Sequence, residues 1–125
     1  MLFFIIDIKL GKKTPLDNTM SESITKISDD LKEFAVKRNW EQFHTPKNLS
    51  MALIAEAAEL VEHFQWLTAE QSQSLKGEKL KEVSYEMADI FIYLLRMSEQ
   101  LDIDLMSATR EKMTINETRF PVKKS

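Results

Sequence analysis

Glu56-Ala-Ala-Glu59 and Glu86-Met-Ala-Asp89 are two acid pairs, each with its carboxylates three residues apart in a strongly helical segment. Residues three apart share a helix face, so two such helices side by side would bring four carboxylates together. In a partly dry site these like charges repel by several kcal/mol, at an effective dielectric of about 20. A cation relieves that repulsion, and an all-oxygen ligand set selects a hard ion, Mg²⁺ or Mn²⁺, over zinc.

The elements that must position the acids show in the apolar spacing. Leu53, Ala57, Leu60, Phe64 and Leu67 recur at steps of four and three, as do Val83, Met87, Ile90, Leu94, Met97 and Leu101. Each is the stripe of a helix that packs along a partner. Every acid stands one residue before a stripe position, which predicts carboxylates on equivalent edges of two packing seams. Acids beside an apolar seam are commonly plain solvated surface, and one E-x-x-E alone would carry little. The matched placement on two apolar helices is what argues for a site.

A chain of 125 residues makes one domain, small enough that an oligomer would help bury its apolar surface. Two glycines and three prolines leave little turn material for an all-β fold. A net charge of -3 and a pI near 5.4 argue against a nucleic-acid partner. The lack of cysteine removes disulfides, thiolate zinc sites and thiol catalysis, and is compatible with a cytoplasmic location.

The expected domain spans residues 21–121, after an arm and linker over 1–20 and before a tail over 122–125. The apolar start from Met1 to Leu10 lacks a basic leader and a small-residue cleavage site, and Asp7 and Lys9 interrupt it. It reads as a short extended arm docking on another subunit, neither an export signal nor a membrane span. The spacing predicts a first helix with the stripe Ile24, Ile27, Leu31, Phe34 and Ala35, ending near Arg38 to Trp40. Thr45 caps a second helix, with Pro46 at its first position, running to about Leu67. A polar, mobile connection from Thr68 to Lys81 leads to a third helix over about 79–100. Asp104 caps a fourth from Leu105 to about Glu117.

Set in that order, several motifs resemble the MazG-like all-α nucleoside triphosphate pyrophosphohydrolases, most nearly the dCTP pyrophosphatase branch. They are Trp40-Glu41-Gln42-Phe43-His44 with Pro46 and Asn48, the two acid pairs, Phe64-Gln65-Trp66, Tyr93, and Lys112-Met113 with Asn116, Arg119, Phe120 and Pro121. The resemblance covers about residues 21–121. It implies an all-α four-helix bundle that hydrolyses a nucleoside triphosphate, dCTP or a modified dCTP, to the monophosphate and pyrophosphate. It places Mg²⁺, with Mn²⁺ as a substitute, on Glu56, Glu59, Glu86 and Asp89, and leaves open which glutamate accepts the proton of the attacking water.

Lys112, Asn116 and Arg119 follow one another at steps of four and three on one face of the last helix. Taken alone, that is an ordinary basic C-terminal turn; the resemblance makes it the phosphate grip. It likewise assigns Trp40, His44, Asn48, Trp66 and Tyr93 to the base and sugar, and implies a homodimer or homotetramer. Leu31 stands where dCTP-preferring members have a histidine, a departure that bears on base choice. His63, four residues after Glu59, reads as a surface or interface histidine, and Glu62 and Glu82 as solvated or supporting acids.

Two further readings compete. A non-catalytic helical interaction protein would show neither metal-dependent stabilisation nor nucleotide turnover. A carboxylate-bridged di-iron bundle would need two Glu-x-x-His motifs, which His44 and His63 do not complete.

Overall fold

The computed structural model describes residues 20–123, and the amino-terminal arm expected over 1–20 lies outside them apart from Met20. Among the described residues the regular structure is entirely helical: α1 (Met20–Lys37), α2 (Pro46–Glu62), α3 (Ala69–Ser72), α4 (Gly77–Gln100) and α5 (Leu105–Arg119). The expected all-α class therefore holds.

Local chemistry sets most of the boundaries. At the end of α1, Asn39 takes a left-handed φ of 55°, and the N–H groups of Trp40 and Asn39 turn back to the carbonyls of Ala35 and Val36. This closure satisfies carbonyls the helix would otherwise leave bare, and it folds Trp40 back toward the helix. Asp102 ends α4 in the same way, with φ 52° and the N–H of Ile103 on the carbonyl of Ser98. Thr45 Oγ1 accepts from the N–H of Asn48 to start α2, with Pro46 in its first turn. Asp104 does the same for α5 through the N–H of Ser107.

Two boundaries differ from expectation. α2 stops at Glu62 instead of near Leu67, because the N–H groups of His63 and Phe64 bond three residues back, to Leu60 and Val61, and tighten the chain into turns. The connection after Thr68 holds α3, a single helical turn with a complete capping box. Thr68 accepts from the Gln71 N–H, and the Gln71 side chain accepts from the Thr68 N–H. α4 then begins at Gly77, whose φ of 60° suits a residue without Cβ.

The packing centre is the α2–α4 pair, with α1 laid against α4. Leu49 and Ala52 of α2 and Tyr93 of α4 form the buried cluster, with Leu53 and Met97 packed beside it. α5 buries none of its residues within the single chain.

The seam keeps Leu53, Val83 and Met97 of the expected stripes but is rotated toward the acids. On α2 the buried line is Leu49, Ala52 and Glu56; on α4 it is Val83, Tyr93, Leu95 and Arg96, with Glu86 and Asp89 half-buried between. Met87, Leu94 and Leu101, expected in the seam, are 58%, 37% and 47% exposed. The acids thus lie within the helix interface, and a second apolar row faces outward. The buried row carries Glu86, Asp89 and Arg96 among its apolar residues, so apolar periodicity pointed to the other row.

Candidate active site

Packing α2 on α4 stacks two helical turns of acids face to face. One carboxylate oxygen from each of Glu56, Glu86 and Asp89 lies within 4.8 Å of the others. Glu56 is only 7% exposed, while Glu59, Glu86 and Asp89 are half-buried around it. Burial pushes the Glu56 carboxyl up to about 8, helped by the charges of Asp89 and Glu59 and by contacts with Glu59 and Glu86 that favour its protonated form. Burial likewise lifts Asp89 to about 6, with Glu86 and Glu59 adding repulsion. Tyr93, one turn beyond Asp89, is raised to about 12 by burial and then by the charges of Glu56, Asp89 and Glu59. These shifts share two causes, burial of the groups first and the crowding of negative charge second.

Glu56 Oε2 and Glu86 Oε2 are both buried without a hydrogen-bond partner. A buried carboxylate oxygen left bare is costly unless an ion or a proton occupies its lone pair. An all-oxygen donor set of this charge fits a hard divalent cation. Glu56, Glu86 and Asp89 would hold it, with Glu59 close enough to Glu56 to join.

His63 departs from the surface role expected of it. Its side chain is 16% exposed; Nε2 lies 3.6 Å from Glu86 Oε1 and Nδ1 lies 4.0 Å from Glu82 Oε2. Although α2 ends at Glu62, His63 keeps right-handed helical angles as the cap, so the face of Glu59 continues one turn further. Its spacing from Glu59 was the signal for this placement.

The aromatic candidates separate into two groups. Trp40, His44 and Tyr93 line a cleft between α1 and α4, with Leu31, Ile92 and Arg96 completing much of its wall. Trp40 meets Phe34 edge-on at 5.6 Å and lies 6.0 Å from the His44 ring. The cleft is open at its mouth, and its interior has room for little more than a water molecule. A base would sit across the mouth and displace side chains to go deeper. Trp66 is not there: it is 87% exposed, carried outward by the turns that end α2. Asn48 is exposed, and its amide donates to the Phe43 carbonyl at 3.0 Å, bracing the loop that carries His44. Lys112 and Arg119 are exposed on α5 and Asn116 is half-buried; that helix does not pack substantially on α2 or α4 in the single chain.

Arg96 escaped the sequence reading altogether. It is 3% exposed, donates from Nη2 to Glu41 Oε1 at 2.8 Å and from Nε to His44 Nδ1 at 3.3 Å, and pairs through Nη1 with Glu99. Burial works to raise the Glu41 carboxyl, but the hydrogen bond and charge of Arg96 outweigh it and hold Glu41 below its ordinary value. Burial lowers His44, and the Arg96 charge lowers it further against the opposing pull of Glu41 and Glu99. Its position seven residues after Asp89, on the same helix face, was the available clue.

The chain is similar to known proteins in sequence and shape. Residues 51–125 match the MazG-like family. The chain is 36% identical to dCTP pyrophosphatase 1 of Bos taurus, across 90% of this chain and 70% of that protein. It is also 36% identical to the Homo sapiens protein of the same name, across 89% and 69%. A crystallised pyrophosphatase from Archaeoglobus fulgidus superposes with a TM-score of 0.70 at 35% identity, covering 88% of this chain and all of that one. With the family match spanning more than half of its length and these relatives most of it, the chain belongs to the MazG-like family.

Proposed function

We propose that this nucleoside triphosphate pyrophosphatase uses Mg²⁺, held on Glu56, Glu59, Glu86 and Asp89, to hydrolyse dCTP or a base-modified dCTP to the monophosphate and pyrophosphate. The observation that carries the metal is the pair of buried, unpartnered oxygens, Glu56 Oε2 and Glu86 Oε2, in a cluster that burial and mutual repulsion hold partly protonated. When bound, the ion supplies charge neutralisation at the phosphates, polarisation of the α-phosphoryl group and a more acidic attacking water. A glutamate of the same cluster takes the proton from that water. His63, against Glu86 and Glu82, restrains the Glu86 carboxylate so that its bare oxygen stays turned into the cluster.

The base takes the cleft of Trp40, His44 and Tyr93, where flat rings favour stacking. The curated relatives named for dCTP support a cytosine base. Lys112 and Arg119, with Asn116, grip the outer phosphates, Arg through its bidentate fork. A panel of the four dNTPs with Mg²⁺ is expected to give the highest kcat/KM for dCTP or its 5-substituted forms. Comparable values for dCTP and the purine triphosphates would refute that choice.

We also propose that the chain works as a homodimer or homotetramer, in which a second copy closes the bundle that one chain leaves open. Leu80, Met87, Leu94 and Leu101 recur every seventh residue along α4 and its C-cap and are 37–58% exposed, the repeat of a helix–helix seam. Trp66, outside the cleft of its own chain, is then available to a neighbour's nucleotide. Replacing Leu80 and Leu101 together by Glu should reduce the mass seen by light scattering at micromolar concentration. An unchanged mass would show that this row is not the interface. No described helix is long and apolar enough to cross a membrane. A cytoplasmic site of action fits a nucleotide substrate.

A further inference from the structure

Arg96 is a buried charged side chain beside the α1–α4 contact, and the metal chemistry makes no use of it. Burying an arginine for stability alone is a poor solution, because an apolar side chain of similar volume often serves as well or better. Its three contacts give the group a more specific consequence. A guanidinium keeps its protons and offers donors only. The ring atom that accepts from Arg96 Nε, His44 Nδ1 at 3.3 Å, must therefore carry a lone pair. The imidazole proton then resides on Nε2.

The arginine is itself fixed. Glu41 Oε1 accepts from Nη2 at 2.8 Å, Glu99 pairs with Nη1, Gln100 steadies Glu41 at 3.5 Å and Lys32 lies 3.2 Å from Glu99. The fork has little freedom to turn away from His44. Trp40, His44, Tyr93 and Arg96 share one cleft, so the tautomer of His44 is a property of that cleft.

We propose that Arg96 is a positioning residue for base selection, locking His44 as the neutral Nε2–H tautomer so that a base entering past the apolar mouth of the cleft meets a hydrogen-bond donor opposite its N3. This rests on the reading that the cleft of Trp40, His44 and Tyr93 receives the nucleobase. The discrimination lies at N3: cytosine presents a lone pair there, whereas uracil carries a proton that would meet the donor head-on, and O2 accepts in both bases. Leu31, 6% exposed in the cleft wall, can make no polar contact with the base, which leaves the discrimination to the His44 side of the cleft.

The test combines a spectroscopic and a kinetic readout on the full chain. Nitrogen NMR of ¹⁵N-histidine protein should show His44 as the Nε2–H tautomer at neutral pH. Arg96→Gln should give a mixture of tautomers or the imidazolium. With Mg²⁺, the same variant should raise KM for dCTP about tenfold with kcat largely kept, the scale of one lost hydrogen bond, and should lower the dCTP-to-dUTP ratio of kcat/KM by a similar factor. If Arg96→Gln does not fold by circular dichroism, Arg96→Lys keeps the charge but loses the fork, and should show the same loss of selectivity.

An Nδ1–H or charged His44 in the unaltered protein overturns the inference. So does an unchanged dCTP-to-dUTP ratio in a folded variant; in that case the pyrophosphatase reading stands. Absence of turnover with every nucleoside triphosphate would overturn both.

Discussion

Replacing Glu56 by Gln is expected to lower kcat on the order of a thousandfold, about 4 kcal/mol of transition-state stabilisation, while leaving a folded protein that melts no lower in the absence of metal. The two halves of this result come from one cause. Glu56 is the most buried acid of the cluster, and one of its oxygens has no protein partner. An ion bound there loses a ligand when the carboxylate becomes an amide. The apo protein, by contrast, already favours a neutral group at this position, because burial and neighbouring acids hold the Glu56 carboxyl at about 8. The amide removes a repulsion that the metal-free fold would otherwise feel above that pH. Asp89→Asn should behave alike through its own raised carboxyl. Turnover kinetics and thermal melts with EDTA test both halves. A variant that keeps wild-type turnover would remove Glu56 from the site.

The metal-free protein is expected to lose stability as pH rises from about 5 to 8, and Mg²⁺ is expected to reverse much of that loss. Glu56 shifts from an ordinary 4.5 to about 8, and Asp89 from 3.8 to about 6. Both folded-state values are raised, so the folded protein binds protons that the unfolded chain has already released. The stabilisation is complete below the unfolded values and disappears as pH climbs through 6 for Asp89 and 8 for Glu56. Each retained proton contributes a slope of up to about 1.4 kcal/mol per pH unit. A divalent ion competes with those protons and binds better at higher pH. At a hundredfold excess over its Kd it adds about 2.7 kcal/mol. Melting temperatures from pH 5 to 9, with EDTA and with Mg²⁺, should therefore diverge toward the alkaline side. Parallel curves, or an EDTA curve that rises with pH, would contradict the assignment.

The caps and the acids were legible because their signals are local. Thr45-Pro46 and Asp104 each mark a helix start through a side chain bonding its own backbone, and the acid pairs needed only helical spacing to be placed on one face. What failed was relative rotation. Apolar periodicity on α4 pointed to the row of Met87, Leu94 and Leu101, whereas packing buries the row that runs from Val83 through Glu86 and Asp89 to Tyr93 and Arg96. The acids were thus expected on the rim of the seam and lie inside it.

Arg96 was missed for a related reason. Its partners Glu41 and His44 are more than fifty residues away, and its one local clue, the place seven residues after Asp89, does not by itself mark an arginine as buried. Trp66 was placed in the base cleft on resemblance, whereas the turns after Glu62 carry it to the surface of its own chain. Thr68-x-x-Gln71 had the spacing of a capping box, and the polar composition around it obscured the short helix it starts.

Hydrolysis of dCTP in H₂¹⁸O with Mg²⁺, followed by mass analysis of both products, tests the central claim most directly. The cluster of Glu56, Glu59, Glu86 and Asp89, serving water attack at the α-phosphorus, predicts one ¹⁸O in the dCMP and none in the pyrophosphate. Label in the pyrophosphate, or dCDP and orthophosphate as the first products, would contradict it.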